Sequence, residues 1–221
     1  MAKQGLFITF EGGEGAGKTT QCRRIKSALE ERGFEVVLTR EPGGVPEAEK
    51  IRDLLVQREG GNWTPMAECL LFFAARQMHT EKLIKPALDE GKVVICDRYT
   101  DSTVAYQGYG HGFDRTTIYQ IEKLTLGDFR PDLTLLLDLP VEEGLTRSLK
   151  QKDAAGGREN TEDRFEKLKT EFHERLRRGF LTIAKENSGR CVVVDAVQDV
   201  DHVFSQVRGA VFARLEAVHA L

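Results

Sequence analysis

The stretch Gly12-Gly13-Glu14-Gly15-Ala16-Gly17-Lys18-Thr19 limits what this chain can fold into more than any other. It fits G-x-x-x-x-G-K-T and directly follows an apolar run (Leu6, Phe7, Ile8, Phe10) that predicts a strand. Behind it, Cys22, Ile25 and Leu29 stand three and four residues apart, the spacing of one helical face. A glycine-rich loop between a strand and a helix can cradle an anion. Without Cβ atoms its N–H groups turn inward, and the positive end of the following helix faces the same point. Gly12, Gly13, Glu14, Gly15, Ala16, Gly17, Lys18, Thr19 and Thr20 are therefore the expected phosphate-binding loop for ATP. Lys18 would reach the β- and γ-phosphates, and the Thr19 hydroxyl would sit on Mg²⁺. A turn that merely joins strand to helix would need neither the Lys-Thr pair nor so many glycines.

Further short apolar runs predict strands at Glu35–Thr39, Val93–Cys96, Leu133–Leu137 and Cys191–Val194. Helical patterns lie between them, clearest at Phe165, Leu168, Phe172, Leu176 and Ile183, and at Val200, Val203, Phe204, Val207 and Val211. Strand and helix in alternation predict an α/β fold of the P-loop NTPase type: three layers, α/β/α, around a five-stranded parallel sheet. Residues 1–221 read as a single domain. Ligands of such sheets bind beyond the carboxyl ends of the strands. One stretch breaks the pattern: Lys150–Thr161 is polar and lacks any large apolar residue, and it predicts a lid, taken as about 147–164.

Two other strand ends carry arginine where the crevice should be. Thr39-Arg40-Glu41-Pro42-Gly43-Gly44 leads to Arg52, and Asp97-Arg98-Tyr99 leads to Ser102, Thr103, Tyr106 and Gln107. Guanidinium groups match phosphate oxygens in pairs, so Arg98 and Arg52 are candidates for a second phosphate group. Asp97 could reach Mg²⁺ or orient Arg98; alternatively Asp97 and Arg98 pair with each other and touch no ligand. Phe72 and Arg76, four residues apart, share a helical face that suits a flat heterocycle, although aromatic residues in apolar helices are more often core. Asp138, ending the fourth strand, reads as a cap for the next helix.

Composition excludes other classes. A net charge of −3 gives no reason to expect nucleic-acid binding, so any anionic ligand needs a local arginine cluster. No run reaches membrane-spanning length and none of signal length precedes the first strand. Cys22, Cys69, Cys96 and Cys191 form no C-x-x-C pair, and the five histidines have no zinc spacing. Buried thiols and a cytoplasmic location are expected.

In their order, these pieces resemble the thymidylate kinase family, over nearly the whole chain. The resemblance rests on Phe10-Glu11-Gly12 through Thr20, Thr39 to Gly44, Phe72 with Arg76, Asp97-Arg98-Tyr99, Ser102-Thr103 and Ala105 to Gly108. It continues through Pro131-Asp132 and Asp163-Arg164-Phe165-Glu166. It implies transfer of the ATP γ-phosphoryl group to thymidine 5′-monophosphate (dTMP), with Mg²⁺, and a homodimer supported by the helix around Leu70–Ala75. By that resemblance Arg98 and Arg52 hold the monophosphate, Arg76 bonds the thymine edge, Phe72 stacks on the ring, and Thr103 and Gln107 reach the base. Tyr106 packs under the sugar, Glu14 lies near its 3′-hydroxyl, and Glu41 belongs to the same substrate set. The family's catalytic arginine lies in the phosphate loop or in the lid. The loop position here is Gly15, which implies the lid form, with Arg158 preferred over Arg147, Lys150, Lys152 and Arg164. The catalytic set is then Lys18, Arg98 and Arg158, with Thr19 and Asp97 toward the metal.

Two other classes compete. A deoxynucleoside kinase would phosphorylate thymidine itself, with Glu41 as general base. A guanine-specific switch should carry N-K-x-D, which does not occur, and its D-x-x-G appears only at Asp153–Gly156, not after a strand.

Overall fold

The five expected strands all form and run parallel in one sheet of order β2-β3-β1-β4-β5. They are β1 (Leu6–Glu11), β2 (Val36–Arg40), β3 (Val93–Asp97), β4 (Leu133–Asp138) and β5 (Cys191–Asp195). The computed structural model describes residues 5–56, 62–154 and 168–219. Each strand runs one residue past the stretch that hydrophobicity marks and ends on a charged side chain. The ladder needs only backbone groups, so Phe10 pairs with Asp97, and Asp138 with Asp195, where apolar patterning has stopped.

Alternation along the strands feeds two cores. On one face Phe7, Val94, Cys96 and Leu136 pack against α3 (Pro65–His79), α6 (Arg115–Leu126) and α8 (Thr170–Glu186), through Phe73, Ile118, Phe172, Leu176 and Phe180. On the other, Leu6, Ile8, Phe10, Ile95 and Leu135 pack against α1 (Lys18–Glu30) and α9 (Val200–His219). Cys22, Ile25 and Leu29 supply the α1 stripe, and Val203, Val207 and Val211 that of α9. The three-layer expectation holds. Val200 departs from it, because it opens α9 and is 49% exposed. Leu168 precedes α8, and Phe165 lies outside the described residues. All four cysteines are buried and unpaired. No helix among the described residues is long and apolar enough to cross a membrane.

The remaining elements are α2 (Pro46–Val56), α4 (Lys85–Asp89), α5 (Thr100–Thr103) and α7 (Val141–Ala154), with π-helical stretches at Thr80–Ile84 and Val104–Gly110. Asp138 caps no helix. Its carboxylate takes a bidentate pair from Arg177 of α8, Nε at 2.8 Å and Nη2 at 2.9 Å, because a fork of two donors outcompetes a single backbone N–H. Arg190, entering β5, bonds the Asp101 carboxylate (2.7 and 2.8 Å) and the Thr134 hydroxyl (2.8 Å). That hydroxyl also bonds Thr9, so the network joins α5, β1 and β4.

Candidate active site

The loop after β1 is shaped by positive φ and by a close backbone approach. Gly15 has φ +67°, and a Cβ there would lie 2.1 Å from the Gly144 carbonyl oxygen in α7. Gly12 (φ +137°) would meet the Leu137 carbonyl oxygen at 2.5 Å. Only glycine fits either place. The loop closes on itself through Lys18, whose Nζ donates to the carbonyls of Gly12 (3.1 Å) and Gly13 (2.8 Å). Burial lowers the Lys18 pKa, and Arg98 adds to that, against Glu14, Asp97 and Glu11. Thr19 donates from Oγ1 to Asp97 Oδ2 at 2.7 Å, setting a hydroxyl and a carboxylate side by side at the end of β3.

Arg98 follows that strand with φ +71°, the one non-glycine residue in the left-handed region among the described residues. Its guanidinium does not pair with Asp97. It donates instead to the Gly12 carbonyl (3.1 Å), Ser102 Oγ (3.2 Å) and Glu14 Oε1 (2.9 Å). Lys18 and Arg98 thus converge on one carbonyl oxygen. Burial opposes the Arg98 charge, but Tyr106, Glu14, Asp97 and Glu11 together raise its pKa. Burial likewise works to raise Glu14, yet Arg98 and Lys18, the Tyr106 hydroxyl (2.5 Å) and His173 hold its carboxyl at about 2. Glu14 therefore stays ionised at any working pH.

A cavity of about 170 Å³ opens beside this network. Every residue expected to contact the acceptor lines it: Glu14, Glu41, Arg52, Phe72, Arg76, Arg98, Thr103, Tyr106 and Gln107. Arg52 donates to the Pro42 carbonyl at 2.8 Å. Arg76 is buried, with Nε on Glu41 Oε2 (2.6 Å) and Nη2 on the Tyr99 carbonyl (3.1 Å). Glu41 also meets His79 Nδ1 at 3.0 Å, and His79 Nε2 meets the Thr39 hydroxyl at 2.8 Å. Gln107 donates from Nε2 to Glu68 Oε2 at 2.8 Å.

Four of these partners were given no role by sequence reasoning: Glu11 and Ser102, which stand inside the quoted motifs, and Glu68 and His79, which do not. Glu11 is buried and accepts from the Tyr99 N–H (2.8 Å) and the Ser102 hydroxyl (2.6 Å), fixing the turn that carries Arg98. Burial, with Asp101 nearby, lifts its carboxyl to about 7. Glu68 did leave a signal, since Glu68, Phe72 and Arg76 fall at steps of four on α3. In the lid expectation, Arg147 bonds the carbonyls of Ala196 (2.9 Å) and Val197 (3.3 Å), and Lys150 is exposed. Arg158 and Arg164 lie outside the described residues, as does the side chain of Lys152.

A sequence model of the thymidylate kinase family matches residues 10–207. The chain belongs to the thymidylate kinase family. A thymidylate kinase of Geotalea daltonii is 48% identical over 96% of this chain and 98% of its own length. One of Caulobacter vibrioides is 49% identical over the same shares. The crystal structure of the thymidylate kinase from Ehrlichia chaffeensis superposes with a TM-score of 0.75 at 38% identity, covering 95% of this chain and 99% of that one. The fold expected for the family is therefore the fold observed.

The Gly15 contact yields a test. Gly15→Ala places a methyl group against main chain, at a strain of about 1–3 kcal/mol. Isothermal titration should show weaker ATP binding, by about 10-fold or more on that strain, with dTMP binding held near wild type; unchanged ATP affinity would contradict the geometry.

Proposed function

We propose that this chain transfers the γ-phosphoryl group of ATP to dTMP, giving the diphosphate for dTTP synthesis. The observation that carries the reading is the meeting of Lys18 and Arg98 on the Gly12 carbonyl. In this account the lysine reaches the terminal phosphate of the donor from the loop side. Arg98, with Arg52, holds the acceptor phosphate from the cavity side. An acceptor oxygen then approaches the γ-phosphorus in line while ADP departs opposite. Such a transition state is loose and charge-dominated, so holding and neutralising the phosphates is most of the work.

Mg²⁺ belongs to this proposal, and the donors at its expected place fit. Mg²⁺ takes hard oxygen ligands and keeps several waters alongside substrate phosphates, so the Thr19 hydroxyl and Asp97 carboxylate suffice as the protein's share. When bound, it supplies further neutralisation of the donor phosphates.

The base contacts follow the same logic. Phe72 stacks on the thymine, and Arg76, Thr103 and Gln107 reach its edge. Glu14 and Tyr106, bonded to each other, meet the sugar. The rival reading, phosphorylation of thymidine with Glu41 as general base, is disfavoured because both Glu41 oxygens are engaged, by Arg76 and by His79. Assaying thymidine beside dTMP separates the two. Expected is kcat/KM for dTMP at least about 100-fold above that for thymidine, since thymidine has no phosphate to bond with Arg98 and Arg52. Preference for thymidine would overturn the proposal.

Arg158 completes the proposed charge at transfer. Arg158→Ala should lower kcat by about 10³-fold or more while the KM for each substrate moves only a few-fold. Turnover close to wild type would remove Arg158 from the mechanism.

The chain is proposed to act as a cytoplasmic homodimer. Its buried, unpaired thiols suit a reducing compartment. Leu70 of α3 and Leu124 of α6 stand 50% and 86% exposed on neighbouring helices. Sedimentation velocity should show a dimer that Leu70→Glu converts to monomer; a monomeric wild type would sink this assembly.

A further inference from the structure

We propose that Glu68 decides which pyrimidine the acceptor cavity reads, by fixing the orientation of the Gln107 amide; the inference rests on the thymidylate reading above. Both residues are buried, 2% and 1% exposed, and their bond runs from Gln107 Nε2 to Glu68 Oε2 at 2.8 Å. A carboxylate can only accept, so the amide must turn its NH₂ group toward Glu68. The Oε1 atom is then the end left over, and it has no protein partner.

Arg76 is arranged in a similar way. Glu41 takes its Nε and the Tyr99 carbonyl takes its Nη2, which leaves Nη1 buried without a partner. Both residues line the cavity. Each thus keeps one buried polar atom without a protein partner, a donor on Arg76 and an acceptor on Gln107, for a ligand's edge to satisfy.

Thymine meets that pair, with O4 to accept from Arg76 and the adjacent N3–H to donate to Gln107. Cytosine presents the reverse pattern, an amine at C4 and a bare N3, and satisfies neither. Uracil has the same edge as thymine, so Glu68 acts on the keto–amino distinction and not on the 5-methyl group. A second amide at position 68 could offer either its oxygen or its NH₂ group, and Gln107 would then be able to turn over. Glu68 would thus act as a positioning residue, through Gln107, without touching the nucleotide.

The decisive measurement is the ratio of kcat/KM for dTMP to that for the deoxycytidine monophosphate dCMP, in wild type and Glu68→Gln, with thermal unfolding as the check on folding. The ratio should fall at least about 10-fold in the variant, with the loss on dTMP falling on KM more than on kcat. Combining Glu68→Gln with Gln107→Ala should give the ratio of Gln107→Ala alone, because the carboxylate acts only through the amide. A folded Glu68→Gln that keeps the wild-type ratio overturns the proposal. A second arm needs no variant: dTMP methylated at N3 lacks the donor and should show a KM at least about 10-fold above that of dTMP with wild-type protein. Equal KM values would overturn the assignment even if Glu68→Gln fails to fold. Turnover of dTMP with an unchanged ratio defeats the Glu68 inference alone, whereas no turnover of dTMP defeats the thymidylate reading with it.

Discussion

The carbonyl oxygen of Gly12 accepts from a lysine on one side and an arginine on the other, and the rest of the site is arranged around that shared acceptor. Two cations this close repel each other, and Arg98 does lower the Lys18 pKa. Glu14, held ionised between them, offsets the repulsion. Lys18 stands at the start of α1 and Arg98 directly after β3, so the meeting depends on β1 and β3 lying side by side. The central strand pair thus sets the spacing between the two halves proposed to bind phosphate.

Buried carboxylates recur as the means of fixing functional side chains. Glu11 holds the turn that bears Arg98, Glu41 holds Arg76, and Glu68 holds Gln107. A charged acceptor in low dielectric makes a short, directional bond, and removing its partner is costly. Glu41 and Glu68 therefore each convert a long, flexible side chain into one with a single orientation. The side chains that would face ligand are aimed from behind by groups that do not face it.

Strand positions were legible in the sequence because apolar runs record burial, and the α1 and α9 stripes for the same reason. Some strand ends were not: Glu11, Arg40 and Asp195 pair by backbone alone, which no side-chain pattern reports. The residues proposed to hold the acceptor were legible through strand-end arginines and a family likeness carried by short motifs, and all of them line one cavity. Their supports were not. The sequence assigned no role to His79 or Glu68, and only the fold shows that one bonds Glu41 and the other Gln107. Asp138 was misread because capping is a local rule, whereas its partner Arg177 comes from a helix far along the chain.

The contact between Gly15 and Gly144 bears on whether the arginine proposed for the lid could be moved into the phosphate loop. The obstacle at position 15 is a peptide oxygen, so no trimming of a neighbouring side chain would clear it. Gly144 is already the smallest residue, and a Cβ added there would itself lie 2.5 Å from the Glu14 carbonyl oxygen. Moving the arginine into the loop would require the start of α7 to withdraw from β1's loop as a unit. Such a move would thus take a shift of backbone rather than a pair of point substitutions.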